Sequence, residues 1–161
     1  MGRKAKALVE TSRRDISAHL NCAPRSICFT SGGTEADNHA ISAAVACLGV
    51  TRIVTSAAEH SAVVKASASM EANGVEVVHV RHHPSGDVDM AHLCELLEAS
   101  SSKTLVSLMH ANNEVGVMID LRAVGQLCKQ HDTLFHSDTV QTMGHYLSLI
   151  HISEPTRHTR I

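Results

Sequence analysis

The sequence predicts an α/β fold: a mainly parallel sheet with helices on both faces. Three observations carry that prediction. Short apolar runs alternate with amphipathic segments through the whole middle of the chain, the pattern of repeated strand–helix units. The run at 104–109 is almost continuously apolar, as a strand covered on both faces must be. The 161 residues fit one ordinary domain with a core of useful size.

The elements follow in order. Residues 3–20 carry Ala5, Leu8, Val9, Ile16 and Leu20 at helical spacing, with charge on the other face. The segment 21–25, containing Pro24, breaks that helix. A short strand is expected over 26–30, then a glycine turn and a helix over 34–48. Residues 52–56 form the next strand. A helix beginning at Glu59-His60 runs to about Ala72, where Asn73-Gly74 stops it. A strand follows over 75–80, then a loop over 82–87 with Pro84 and Gly86. The remaining elements are a helix over 88–100, the strand 104–109, a helix over 119–131 and a strand over 133–137.

Composition excludes several functions. The formal net charge is −2 and aromatic residues make up 2%, so there is neither a basic face nor a set of stacking platforms for nucleic acid. No apolar run is long enough to span a bilayer. The N-terminus leads into a polar helix rather than an apolar signal core, so a cytoplasmic protein is expected. The five cysteines form no C-x-x-C pair and are odd in number, against a disulfide framework or a thiolate zinc site. Most are expected to be small buried hydrophobes. His82-His83 has no third ligand nearby, and no metal site is expected.

In parallel sheets ligands sit at the carboxyl ends of the strands, so the loops after the strands hold the candidate chemistry. The first is Ser31-Gly32-Gly33-Thr34. Its glycines permit positive φ and close backbone approach, and Thr34 can cap the helix. Free amides at a helix N-terminus make an anion seat, although an ordinary glycine turn reads equally from this stretch alone. In the second loop, His60 at a helix start could stack on a planar ring, act as acid or base, or simply cap. The third, 110–116, contains Asn112-Asn113 and Gly116: a turn, or amides that hold a polar ring substituent. The fourth holds His136, Asp138 and Gln141. A carboxylate there can pair with a protonated ring nitrogen; the H-x-D pair of His136 and Asp138 could instead start a metal site, but no other acid or histidine has a spacing that supports one.

These loops contain F-T-S-G-G-T-E-A-D-N at 29–38, E-H-S-A-V at 59–63, M-H-A-N-N-E-V-G at 109–116 and H-S-D-T-V-Q at 136–141. In that order and spacing they resemble the cysteine desulfurases, pyridoxal-phosphate (PLP) enzymes of the class-V aminotransferase group, from about Gly2 to about Gly144. The resemblance implies the large domain of PLP fold type I, present in part over 1–145. It implies that Gly33 and Thr34 bind the cofactor phosphate and that His60 stacks on the pyridine ring and moves protons. It places Asn113 beside the ring, Asp138 on the pyridine nitrogen and Gln141 on the phenolic oxygen. It further implies L-cysteine as substrate, alanine and an enzyme persulfide as products, a sulfur acceptor such as an iron–sulfur scaffold as partner, and a homodimer.

The sequence departs from the family in three places. The family's D-Y-x-A-T-T-P segment is absent, so the chain is expected to begin partway into the first helix of the large domain. The S-x-H-K motif with the Schiff-base lysine is absent: the lysines are Lys4, Lys6, Lys65, Lys103 and Lys129, all before Gln141. No cysteine matches the family's nucleophile. The piece is therefore expected not to turn over cysteine. From Tyr146 the tail through 161 is expected to be non-native, since 147–157 reads like a translated sequencing adapter. Selenocysteine lyase or another class-V enzyme keeps the same fold. A non-catalytic phosphate-binding α/β domain explains the glycine turn but not the register of His60, Asp138 and Gln141. A misfolded, aggregating fragment is the remaining alternative.

Overall fold

A computed structural model describes residues 2–145, so the tail expected to be non-native lies outside the described residues. These residues divide into two compact units, 2–29 with 143–145, and Thr30–Thr142.

The first unit is built on helix α1 (Gly2–His19), followed by a single 3-10 turn, Pro24–Ser26. The strand expected over 26–30 does not form. Pro24 presets the first position of a helical turn, and the residues after it run extended without a sheet partner among those described. Phe29 is 46% exposed, so the apolar run that suggested a strand is not covered. Arg13 instead donates to the carbonyl of Ile27, and its guanidinium lies 4.9 Å from the centre of the Phe29 ring.

The second unit is the α/β body. Its elements are α2 (Gly33–Leu48), β1 (Arg52–Ser56), α3 (Ser61–Ala72), β2 (Glu76–Val80), α4 (Met90–Glu98), β3 (Thr104–Ser107), β4 (Ala111–Asn112), β5 (Val117–Met118), α5 (Leu121–Gln130) and β6 (Leu134–His136). Four strands form a parallel sheet in the order β2-β1-β3-β6. The small antiparallel pair β4–β5 was not expected. Each of its strands is only two residues long, too short to show a period-two pattern.

Neighbouring residues on β1 and β3 point to opposite faces, and each face has its own core. Ile53 and Leu105 join Ile41, Ala44, Val63 and Ala66 of α2 and α3. Val54 and Val106 join Leu93, Leu97, Val124 and Cys128 of α4 and α5. Both faces are therefore covered, as the apolar runs required. Of the cysteines only Cys128 is fully buried, while Cys28 and Cys47 are exposed, which corrects the expectation that most would be core residues. All five are free thiols.

The chain leaves β1 to place β2 on one side, then returns across β1 to place β3 on the other. Loops leaving β1 and β3 thus diverge at their carboxyl ends. Parallel sheets bind ligands in the crevice such a reversal opens.

Candidate functional site

Helix α2 begins at Gly33, with Gly32 as N-cap at φ 170° and ψ 179°. Gly32 is thus extended rather than left-handed, and Thr34 lies inside the first turn rather than capping it. Both points correct the reading of the turn. The cap is made by Glu35, whose Oε2 accepts from the Ser31 amide at 2.6 Å and from the Ser31 hydroxyl at 2.6 Å. Those bonds hold the Glu35 carboxyl below its ordinary range. The first-turn amides of Gly33 and Thr34 have no acceptor within the helix. Gly33 is needed for close approach: a Cβ there would meet Cγ2 of Val140 at 2.8 Å. That contact sets the helix start against the 138–141 loop.

His60 is the N-cap of α3, so the helix starts one residue later than the histidine. Its Nδ1 accepts from the Ala62 amide at 3.2 Å, which leaves the proton of the neutral ring on Nε2. The ring is exposed. Asp138 follows β6. Its Oδ1 accepts from the Val140 amide at 2.9 Å, and its carbonyl accepts from the His110 amide at 2.9 Å. Asp138 is 9% exposed.

The fold gathers Asp37, His60 and Asp138, with their donor atoms all within 4.8 Å of one another. Sequence spacing had suggested that no acid or histidine besides His136 joins Asp138; the parallel topology brings Asp37 and His60 to it. Asp37 is 4% exposed. Its carboxyl is pushed up to about 6, first by burial and then by Asp138, with His60 opposing. Glu59, next to His60, is pushed up to about 7 by burial, against the bond from the Met109 amide and reinforced by Asp138 and Asp37. Among the described residues no lysine or arginine pairs with any of these three carboxylates. The site is acidic, with two buried carboxylates beside an exposed histidine.

Behind it lies a second layer. His136 Nε2 stands 3.6 Å from Asp37 Oδ1, and His136 Nδ1 is 2.9 Å from the Ser107 hydroxyl. Burial lowers the pKa of His136 against the pull of Asp138, so both members of the Asp37–His136 contact are driven toward their neutral forms. His110 Nδ1 is 2.8 Å from the Thr142 hydroxyl, and burial lowers its pKa too. Glu59, Met109 and Asn112 also line a small cavity of about 30 Å³, which is water-sized.

The two remaining predicted residues are on the surface. Asn113 is exposed in the turn between β4 and β5, and Gln141 is exposed after Asp138. Asn112 is the structural member of its pair. Its Nδ2 donates to the Ala58 carbonyl at 2.6 Å, and its Oδ1 accepts from the amides of Glu114 and Val115. The sequence reading singled out His136 beside Asp138 but missed Asp37 and Glu59. Asp37 had one usable signal, an acid a single helical turn after Gly33 on the same helix face.

Comparison with known proteins gives concordant results. The sequence pattern of the aminotransferase class-V family matches residues 1–149, past the boundary expected at Tyr146. Cysteine desulfurase IscS of Vibrio cholerae is 40% identical over 145 residues, covering 89% of this chain and 35% of the relative. The Photobacterium profundum protein of the same name is 37% identical over a similar span. Among solved structures, a NifS-like protein superposes with a TM-score of 0.81 at 32% identity, covering 88% of this chain and 40% of the other. DndA from Streptomyces lividans gives 0.83 at 32% identity, with 92% and 42% covered. The chain spans about a third of the length of the curated relatives it matches.

Proposed function

We propose, from the premise that this chain belongs to the aminotransferase class-V family, that it forms the phosphate- and ring-nitrogen-binding half of a cysteine desulfurase. Pyridoxal phosphate is the cofactor of this family, and the residues fit it. A phosphate suits the free amides at the start of α2, where Gly33 keeps the backbone open. A protonated pyridine suits an acidic site with no cation of its own. When bound, the cofactor supplies an electron sink for bonds at the substrate's α-carbon.

The residues of the chain take separate parts. The amides of Gly33 and Thr34 hold the phosphate. The Asp138 carboxylate accepts from the ring nitrogen and keeps its proton in place. His60 packs on the ring and exchanges a proton at Nε2, because Nδ1 is occupied by the Ala62 amide. Asn113 lies beside the ring and its substituents, and Gln141 hydrogen-bonds the phenolic oxygen. In the whole protein the substrate is L-cysteine, the products are alanine and a protein-bound persulfide, and the sulfur passes to an acceptor such as an iron–sulfur scaffold. That protein works as a cytoplasmic homodimer. All lysines of the present chain precede Gln141, so we propose that it binds the cofactor without a covalent tether and does not turn over cysteine.

The observation that carries this reading is the convergence of Asp37, His60 and Asp138. A plain phosphate-binding domain has no use for two carboxylates where a ring would lie. The test is equilibrium binding of pyridoxamine 5′-phosphate to the purified chain. Asp138→Asn should weaken it by roughly 10-fold or more, the loss of one hydrogen bond to a charged group. Equal binding of inorganic phosphate and the ring-bearing ligand would remove the support for a ring site. A lysine fixed by borohydride reduction in the presence of pyridoxal phosphate would contradict the untethered binding.

A further inference from the structure

We propose that Asp37 is a positioning residue for the ring-nitrogen site: it ties the phosphate seat to Asp138 and supplies a second negative charge that favours a cationic ring. The inference rests on the cofactor reading above and assigns to this chain a residue outside the predicted set.

Three observations lead to it. First, Asp37 is buried to 4% exposure, and among the described residues no lysine or arginine pairs with it; the nearest basic side chain is His136, whose Nε2 stands 3.6 Å away. A carboxyl set into a largely buried place with no cation beside it is costly to ionise, so its presence calls for a reason beyond packing. Second, Asp37 joins elements that must move together. It lies one turn after Gly33 on α2 and faces His136 of β6, whose other nitrogen meets the Ser107 hydroxyl of β3 at 2.9 Å. Asp138 follows His136 by two residues, so the contact sets the start of α2 relative to the ring-nitrogen carboxylate. Third, the donor atoms of Asp37 lie within 4.8 Å of those of Asp138 and His60. Every titratable group facing Asp37 is thus another acid or a histidine: Asp138, Glu59, His60 and His136.

Two neighbouring buried carboxylates resist ionising together. A protonated ring placed against Asp138 relieves that repulsion. Ring binding therefore draws the proton from Asp37, and ionised Asp37 in turn holds the ring cation. The exchange is reciprocal, as linkage requires.

The experiment compares the chain with Asp37→Asn, using the fluorescence of pyridoxamine 5′-phosphate. The chain has no tryptophan, so the ligand signal stands clear. Dissociation constants are measured from about pH 5 to about pH 7.5. In the ratio of variant to wild type the ligand's own titration cancels. The expected ratio is below about 2 at the acid end, where Asp37 of the free protein is mostly protonated, rising to about 10 at the upper end, one pKa unit of coupling. A ratio that stays flat overturns the inference and leaves the cofactor reading intact. Failure of both proteins to bind overturns the cofactor reading and the inference together. Should D37N not fold, the unaltered chain decides the matter by carbon-13 titration of Asp37. Its midpoint should fall by about one unit or more with ligand bound, and an unmoved midpoint overturns the coupling.

Discussion

Glu59 makes one hydrogen bond and leaves one oxygen without a partner. Oε1 accepts from the Met109 amide at 2.8 Å, while Oε2 is buried and unpaired. Its carboxyl is pushed from its ordinary value of 4.5 up to about 7. The unfolded chain gives up this proton more readily than the folded one, so folding is favoured while the group stays protonated. That contribution is complete below about pH 4.5 and is lost as pH rises through about 7. Glu59→Gln keeps the acceptor for Met109 and cannot ionise. We expect E59Q to match the wild type near pH 4.5 and to exceed it near pH 8 by on the order of 1–3 kcal/mol, read from urea melts at the two pH values. A constant difference across the range would remove ionisation as the cause. Gly33 gives a second test at this scale. G33A should cost about 1 kcal/mol by crowding Val140, and the V140A background should restore most of it in a double-mutant cycle. Of these residues, Gly33 was legible in the sequence as a site of close backbone approach, which the Val140 contact bears out. Asp37 was not, because its importance depends on Asp138 and His136, about a hundred positions away in a sequence that carries no distances.

The helices and the four strands of the parallel sheet were legible in the sequence, with the expected 104–109 strand ending earlier at Ser107; the two-residue strands of the hairpin were not. The expected cores of α2 to α5 agree with those observed, and the errors lie at their starts. His60, Asp89 and Asp120 are N-caps rather than first helical residues. Each side chain accepts from an amide two or three residues on, which periodicity alone does not reveal. Asp120 is the clearest case, accepting from both Arg122 and Ala123. D120A should cost about 1 kcal/mol and D120N well under half of that, measured by thermal melting. The failed strand at 26–30 has a different origin. Ile27, Cys28 and Phe29 satisfy strand propensity, but propensity describes fitness for a pleated, half-buried surface, and the structure provides no such surface there. β4 and β5 failed in the opposite sense. The Asn112 turn and left-handed Gly116, at φ 75°, force a hairpin on residues with no strand pattern.

At the scale of the whole chain the sheet is unevenly protected. β1 and β3 are buried along their full length, whereas β2 and β6 are partly open. Amide exchange should therefore be slowest in β1 and β3, faster in β6, and fastest in the 138–145 segment. Exchange as slow in β6 as in β3 would mean that the second unit opens only as one body. No helix among the described residues is long and apolar enough to cross a membrane.

The strand order has a further consequence for synthesis. β1 is made early but is flanked by β2 and β3, and β3 emerges some fifty residues after it. On the ribosome, α2, β1, α3 and β2 can pack first, because their shared core draws mainly on residues 41–77. At that stage the phosphate seat, Asp37 and His60 already exist, while Asp138 has not left the exit tunnel. On the proposed reading, the half of the site that would take the phosphate is therefore built before the half that would take the ring nitrogen, and the site is completed only when β6 joins the sheet.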